Sequence, residues 1–345
     1  MRRRCGCGRA TPPRTCPPQW HMSIASCAVP KASSSSCSAQ FGYPAGPRAS
    51  PRGPESPPMN AATVLVAAAM MTLALALAMT FAWRIWLRTR NCGWLDVVWT
   101  IAVGATGIVA ALMPLPGQTV PGRALLVAAV VAAWTARLAS HLYARNRIRL
   151  DDPRYHALVR HWGAQASTRM LLMAYMQALC SVPLVLAIWL AAHNAGDPLG
   201  LRDAIATAIA ALGIGGAALA DRQLQRFREH SGGAICAVRL WRYSRHPNYF
   251  FEWLAWCAFP VFAFDATGAS SWAWLALAAP ALMYVVLVYV SGVPPIEAHM
   301  LRTGDDAYRA YQALTRAFLP MPRAGAGRLG RPAGATTLGQ PPPGG

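Results

Sequence analysis

The chain has 345 residues, 54% of them apolar and only 13% charged, with a formal net charge of +19. Soluble globular domains carry about 25% charged residues, so this balance excludes an ordinary soluble protein. The basic residues sit in short loops between apolar stretches rather than on one face, which excludes nucleic acid as their partner and assigns them to membrane orientation.

Residues 1–58 are rich in Arg, Pro, Ser and Cys and hold one acid, Glu55. They lack the apolar core of a signal peptide. A disordered basic extension is expected there, or a segment upstream of a working start at Met59; a basic regulatory arm is the alternative. Cys5, Cys7, Cys16, Cys27 and Cys37 fall in this segment without paired C-x-x-C spacing, while Cys92, Cys180, Cys236 and Cys257 are scattered. Free thiols are expected, with no disulfide. The histidines include no H-x-x-x-H pair, so no metal site is expected either.

Residues 61–83 contain no charge, and about 20 apolar residues suffice to cross a bilayer core about 30 Å thick. Further spans are expected near 94–113, 124–143, 170–192, 203–220, 250–267 and 272–293, the 250–267 stretch being short, aromatic and interrupted by Pro260. The fold class is therefore all-α: a polytopic transmembrane helix bundle of six or seven spans over residues 59–323. Residues 324–345 are Gly/Pro-rich and expected to be a disordered tail. Arginines cluster after the first, third and fifth spans, whereas the loops "PLPGQTVPGR" and "HNAGDPLGLRD" carry one each. The positive-inside rule then places the ends of the odd-numbered spans, and the C-terminus, in the cytoplasm.

Topology alone explains a typical loop arginine, but one loop holds more than topology requires. In "DRQLQRFREHSGGAICAVRLWRYSRHPNYFFE" the arginines Arg226, Arg228, Arg242 and Arg245 are interleaved with Asp221, Gln223, Trp241, Tyr243, His246, Asn248, Tyr249 and Glu252. Guanidinium forks suit phosphates and carboxylates, rings stack on planar heterocycles, and Asn or Asp reads ribose or amide groups, so the set suits a large anionic cofactor. Pro247 biases His246 away from helix and marks the entry into the next span. Asn248 and Glu252 then share a helix face at i, i+4. A carboxylate there is costly in lipid and must face the protein interior; its bland reading is a structural pair with Arg242 or Arg245.

Two further polar groups stand out. Glu297, His299, Arg302, Tyr308, Tyr311 and Arg316 follow the last span, where an amphipathic helix folding back would supply the other wall of the same pocket. Asp96, Arg137 and His141 lie in or near spans, and the bland reading there is a mutual pair, or snorkelling of Arg137. "GIGGAA" (213–218) matches a loose dinucleotide-binding pattern but lies inside an apolar span with no preceding strand. Close helix packing through small residues is its expected role.

The motifs "DVVW" (96–99), "DDPRYHALVRHWG" (151–163), "ADRQLQRFR" (220–228), "LWRYSRHPNYFFEWLAW" (240–256) and "SGVPPIEAHMLR" followed by "YRAYQ", in this order, resemble the steroid 5-alpha-reductase-like family of integral membrane proteins, in its bacterial branch of unassigned function. Isoprenylcysteine methyltransferases and sterol reductases of the wider superfamily share an element like "RHPNY". The resemblance implies NADPH entering from the cytoplasmic side and a lipid-like substrate entering from the bilayer, with Asp221, Arg228, Asn248 and Glu252 on the cofactor. Phe251 stands where steroid reductases have Gly. Their enone-polarising Glu and Tyr have no matched counterpart here, Asp96 being the nearest substitute as a catalytic group.

The reading that follows is an NADPH-dependent oxidoreductase of the bacterial inner membrane, acting on an activated C=C bond of an apolar small molecule. Arg228, Arg242 and Arg245 would hold phosphates, Asn248 and Tyr249 would orient the cofactor, and Glu252 would brace the arginines, with His246, Glu297 and Tyr308 completing the pocket. One alternative is a membrane methyltransferase whose S-adenosylmethionine carboxylate sits on Arg245 and His246. The other is a non-catalytic lipid- or nucleotide-binding membrane protein.

Overall fold

The computed structural model describes residues 60–115, 120–148, 159–194, 199–231, 234–264, 272–302 and 306–322. The expected extension (1–58), the tail (324–345), the Gly232–Gly233 turn and the first eight residues of "DDPRYHALVRHWG" lie outside them. The described residues are mostly helical, with no strand among them. Six helical stretches are long and apolar enough to cross a bilayer: Ala61–Thr89, Gly93–Leu112, Gly122–Arg147, Val159–Ala192, Leu201–His230 and Ala273–Arg302.

Helix α1 (Ala61–Thr89) starts at Asn60, whose side chain accepts the Thr63 N–H at 2.8 Å, and ends at Arg90 in the left-handed region. It turns Leu65, Met70, Leu73, Leu77 and Phe81 outward, as a lipid-facing helix must. α2 (Gly93–Leu112) and α3 (Gly122–Ile148) follow. α4 (Ala166–Ala192) is the central helix: Leu184 to Ala192 are buried except Leu186, which is half-buried, and α1, α2 and α3 all pack on it. Pro183 inside it is tolerable because neighbouring helices shield the freed backbone groups.

α5 (Leu201–His230) and α6 (Pro247–Trp256) form the most extensive helix pair. Their closeness depends on the small residues expected to serve packing. A Cβ on Gly213 would lie 2.5 Å from the Ala255 backbone nitrogen, and one on Gly216 would lie 2.4 Å from the Phe251 ring. Gly213→Ala is expected to destabilise the bundle by about 1–3 kcal/mol through overpacking, read by thermal unfolding in detergent, whereas Gly215→Ala, where a Cβ meets nothing within 4 Å, is expected to be neutral or stabilising.

The expected 250–267 span is a broken helix. α6 stops at Trp256 and a short α7 (Ala258–Ala263) continues. Pro260 explains the break, since it lacks an N–H and its ring clashes with the carbonyl four residues back, that of Trp256. The two pieces together still cover about 25 Å at 1.5 Å per residue, and their ends meet opposite ends of the bundle. At one end Asn248 meets Asp221 near the close of α5. At the other, Asn194, just past α4, donates to the carbonyls of Phe262 (3.2 Å) and Ala263 (2.8 Å).

That second end is closed by a buried ion pair the sequence did not advertise. Arg123 opens α3 and forks onto Asp203 in the first turn of α5, Nε to Oδ1 at 2.6 Å and Nη2 to Oδ2 at 3.1 Å, while Nη1 donates to the Asn194 carbonyl. The Asp203 carboxylate also accepts the Gly200 N–H at 3.0 Å and so caps α5. The lone arginine of an arginine-poor loop is thus a structural clamp.

After a 3₁₀ turn (Ala273–Leu277), α8 (Ala278–Val285) runs into a π-helical turn (Val286–Val290), then α9 (Val293–Arg302) and α10 (Asp306–Leu314). Beyond α10 the chain lies back on the loop before α6. Arg245 N donates to Arg316 O (2.9 Å), His246 N to Ala317 O (3.1 Å) and Met321 N to Tyr243 O (3.0 Å). Phe318 fills a cage of Phe250, Trp253 and Tyr284, with ring centroids 5.8, 5.9 and 5.4 Å away.

Candidate functional site

Three elements converge on one buried polar cluster. α3 supplies Trp134, Arg137 and His141, which share a face at i, i+3, i+7; α5 supplies Asp221; α6 supplies Asn248 and Glu252. Arg137 bridges the two acids, Nη2 to Asp221 Oδ2 and Nη1 to Glu252 Oε2 at 3.2 Å. The Trp134 indole N–H donates to Glu252 Oε1 at 2.5 Å. The second Asp221 oxygen accepts the Asn248 amide at 3.1 Å, and His141 Nε2 lies 3.6 Å from Asp221 Oδ2. Trp134 meets Trp256 edge-on at 5.1 Å and Trp99 at 6.4 Å, which extends the cluster as an aromatic wall into the bundle.

This cluster sets two carboxyl groups, Asp221 and Glu252, against one guanidinium, Arg137. Charges inside a membrane protein are retained only when paired or functional. One acceptor is left over: Asn248 Oδ1 is buried and has no hydrogen-bond partner among the described residues. An orphaned buried carbonyl of this kind suits an incoming N–H or O–H group.

The second cluster ties the loop before α6 to the C-terminal elements. Arg245 forks onto Glu297, Nε to Oε1 at 2.7 Å and Nη2 to Oε2 at 3.1 Å, and its Nη1 donates to the carbonyls of Gln312 (3.2 Å) and Thr315. His246 Nε2 reaches Glu297 Oε1 at 3.1 Å, and the Gln312 amide donates to Oε2 at 2.9 Å. The Tyr249 ring stacks on His246 with centroids 5.5 Å apart. Tyr308 is buried beside this cluster. Its burial, with the nearby Glu297 carboxylate, pushes the phenol up to about 12, so it remains a neutral hydroxyl at physiological pH.

The residues singled out by sequence therefore separate into two clusters. Asp221, Asn248 and Glu252 share the first; Arg245, His246, Tyr249, Glu297 and Tyr308 share the second, and the expected meeting of the post-span segment with the Arg-His-Pro loop is present. Arg228 and Arg242 are exposed and in neither. Arg228 is two helical turns beyond Asp221 on the same face of α5, about 10 Å along the axis. Arg242 adjoins Trp241, whose indole donates to Ala220 O at 3.0 Å, next to Asp221. Asp96 stays apart, on α2, with Arg145 at 3.6 Å.

Two pairings differ from those expected. Glu252 pairs with Arg137 rather than with Arg242 or Arg245, because its helix turns it toward α3 and away from the loop. Arg245 has a full set of protein acceptors in place of the phosphate expected for it. Trp134 was missed altogether, although its spacing of three from an arginine within an apolar span was a usable signal.

The chain belongs to DUF1295, a family described as proteins of unknown function, whose profile matches residues 82–315. No curated protein matches the chain.

Proposed function

From that membership and the two clusters, we propose that the chain is an inner-membrane reductase that uses NADPH to saturate an activated C=C bond of a lipid-like substrate. The observation that carries this reading is the juxtaposition of Asp221, Asn248 and Glu252. These residues, the positions that the resemblance to steroid reductases assigns to the cofactor, meet around Arg137 and leave the Asn248 carbonyl oxygen unused.

The charge distribution sorts the parts of the cofactor. The Asp221–Arg137–Glu252 cluster has a surplus of acceptors, two carboxyl groups and a free carbonyl oxygen against one guanidinium, so it suits amide or hydroxyl groups rather than phosphate. Phosphates fall to the exposed Arg228 and Arg242 at the arginine-rich end, which the positive-inside rule places in the cytoplasm. Arg245, His246, Glu297 and Tyr308 act as a brace, fixing the loop from which Asn248 projects. NADPH when bound supplies the hydride for the β-carbon of the substrate. A proton from solvent completes the reduction at the α-carbon, and a hydrogen-bond donor must stabilise the oxyanion that develops between the two steps.

The test is thermal stabilisation of the full chain in detergent by NADPH, NADH and S-adenosylmethionine. A ligand at 100 times its Kd stabilises by about 2.7 kcal/mol. NADPH is expected to give such a shift in the parent, and Asn248→Leu, which removes the acceptor and the Asp221 contact, is expected to reduce it by at least half. A shift only with S-adenosylmethionine replaces the reductase with the methyltransferase; no shift with any of the three favours a non-catalytic lipid-binding role.

A further inference from the structure

Resting on the NADPH reading above, we infer that His141 takes up a proton when the dinucleotide docks, so that cofactor binding and protonation of this side chain are coupled. His141 lies 3.6 Å from the Asp221 oxygen that also accepts Arg137. It is the most open member of the cluster: its side chain is 36% exposed, against 9% for Asp221 and 13% for Arg137. The inner members cannot exchange a proton without breaking contacts. Both Asp221 oxygens are occupied, by Arg137 and Asn248, and Glu252 holds Arg137 and Trp134.

Among the described residues, the ionisable groups facing His141 are few. Asp221 acts on it from α5, and Arg137 and Arg145 act from its own helix. α2 contributes Asp96, which Arg145 neutralises at 3.6 Å, and Glu252 of α6 acts through Arg137. α4 contributes none among the described residues. Asp221, whose oxygen lies 3.6 Å away, favours the imidazolium, and the guanidinium groups of Arg137 and Arg145 oppose it. A cofactor with several phosphate charges adds negative potential beside the cluster's most open titratable side chain, and histidine is the side chain whose charge changes in the physiological pH range. Linkage then requires the bound cofactor to favour the protonated imidazole by the same factor as the proton favours the cofactor.

Isothermal titration calorimetry of the full chain with NADPH, in phosphate and in Tris, reads this directly. Above pH 7 the cofactor's 2′-phosphate, with a second pKa of about 6, is already ionised and contributes little. The expected result is a binding heat that depends on the buffer, with net proton uptake of at most one per NADPH, and a Kd that weakens as pH rises above 7, by at most about tenfold per pH unit. In His141→Asn, or His141→Gln should the first variant unfold, both effects vanish while binding persists. NADPH binding without proton uptake in the parent, or uptake that survives in a folded His141 variant, overturns the inference and leaves the reductase reading standing. Absence of any NADPH binding removes that reading and the inference with it.

Discussion

Arg137→Ala is expected to be among the most damaging single substitutions in the chain, lowering stability by about 3–5 kcal/mol, because it leaves two buried carboxylates facing each other with no cation between them. Asp221 and Glu252 each lose their ion-pair partner at once. The loss should be largely recovered by adding Glu252→Gln and Asp221→Asn, which remove the uncompensated charges and keep the polar shapes. Thermal unfolding of the single and triple variants in detergent measures this. A triple variant no more stable than Arg137→Ala would mean that Arg137 acts through packing rather than charge.

Arg245→Ala is expected to cost a similar amount, about 3–5 kcal/mol, since it strips the half-buried Glu297 of its fork and frees the carbonyls of Gln312 and Thr315. It should also loosen the C-terminal elements, with proteolysis after α9 rising well before the bundle melts. Arg245→Lys restores the charge but not the four donor directions, so it should recover only part of the loss. Limited proteolysis beside a thermal melt separates the two effects, and a lysine variant as stable and protease-resistant as the parent would sink the brace interpretation. Because Arg245 holds the fold together here, its removal is a poor probe of cofactor contact. Asn248, Arg228 and Arg242 are the better ones.

The spans were legible because lipid imposes a length and a composition, and α1 to α5 satisfy both in consecutive residues. The break in the 250–267 stretch was legible through Pro260, and the start of α6 through the His-Pro pair, because proline acts on its immediate neighbours. The gathering of Asn248 and Glu252 was legible through helical periodicity. Their partner was not, since Arg137 meets Asp221 across 84 residues and Glu252 across 115. Nothing local in "WTARLASHLY" states which acid its arginine will find. The Arg123–Asp203 clamp was hidden for the same reason, across 80 residues. Loop arginines of opposite fate, Arg242 exposed and Arg245 locked, differ by three positions in one short turn, and the packing of α9 and the end of α10 against that turn separates them.

The long separation within the Arg137 cluster has a consequence during synthesis. At about 5–20 residues per second, the ribosome makes Asp221 some 4–17 s after Arg137, and α3 reaches the insertion machinery long before α5 exists. An arginine within a span then lacks its acids in an apolar surrounding that penalises it by up to about 2.5–3.5 kcal/mol, the cost at a helix centre. α3 is also the least apolar of the six spans. It must therefore wait beside protein, whether α2 or the insertion machinery itself, rather than in lipid until its acids arrive.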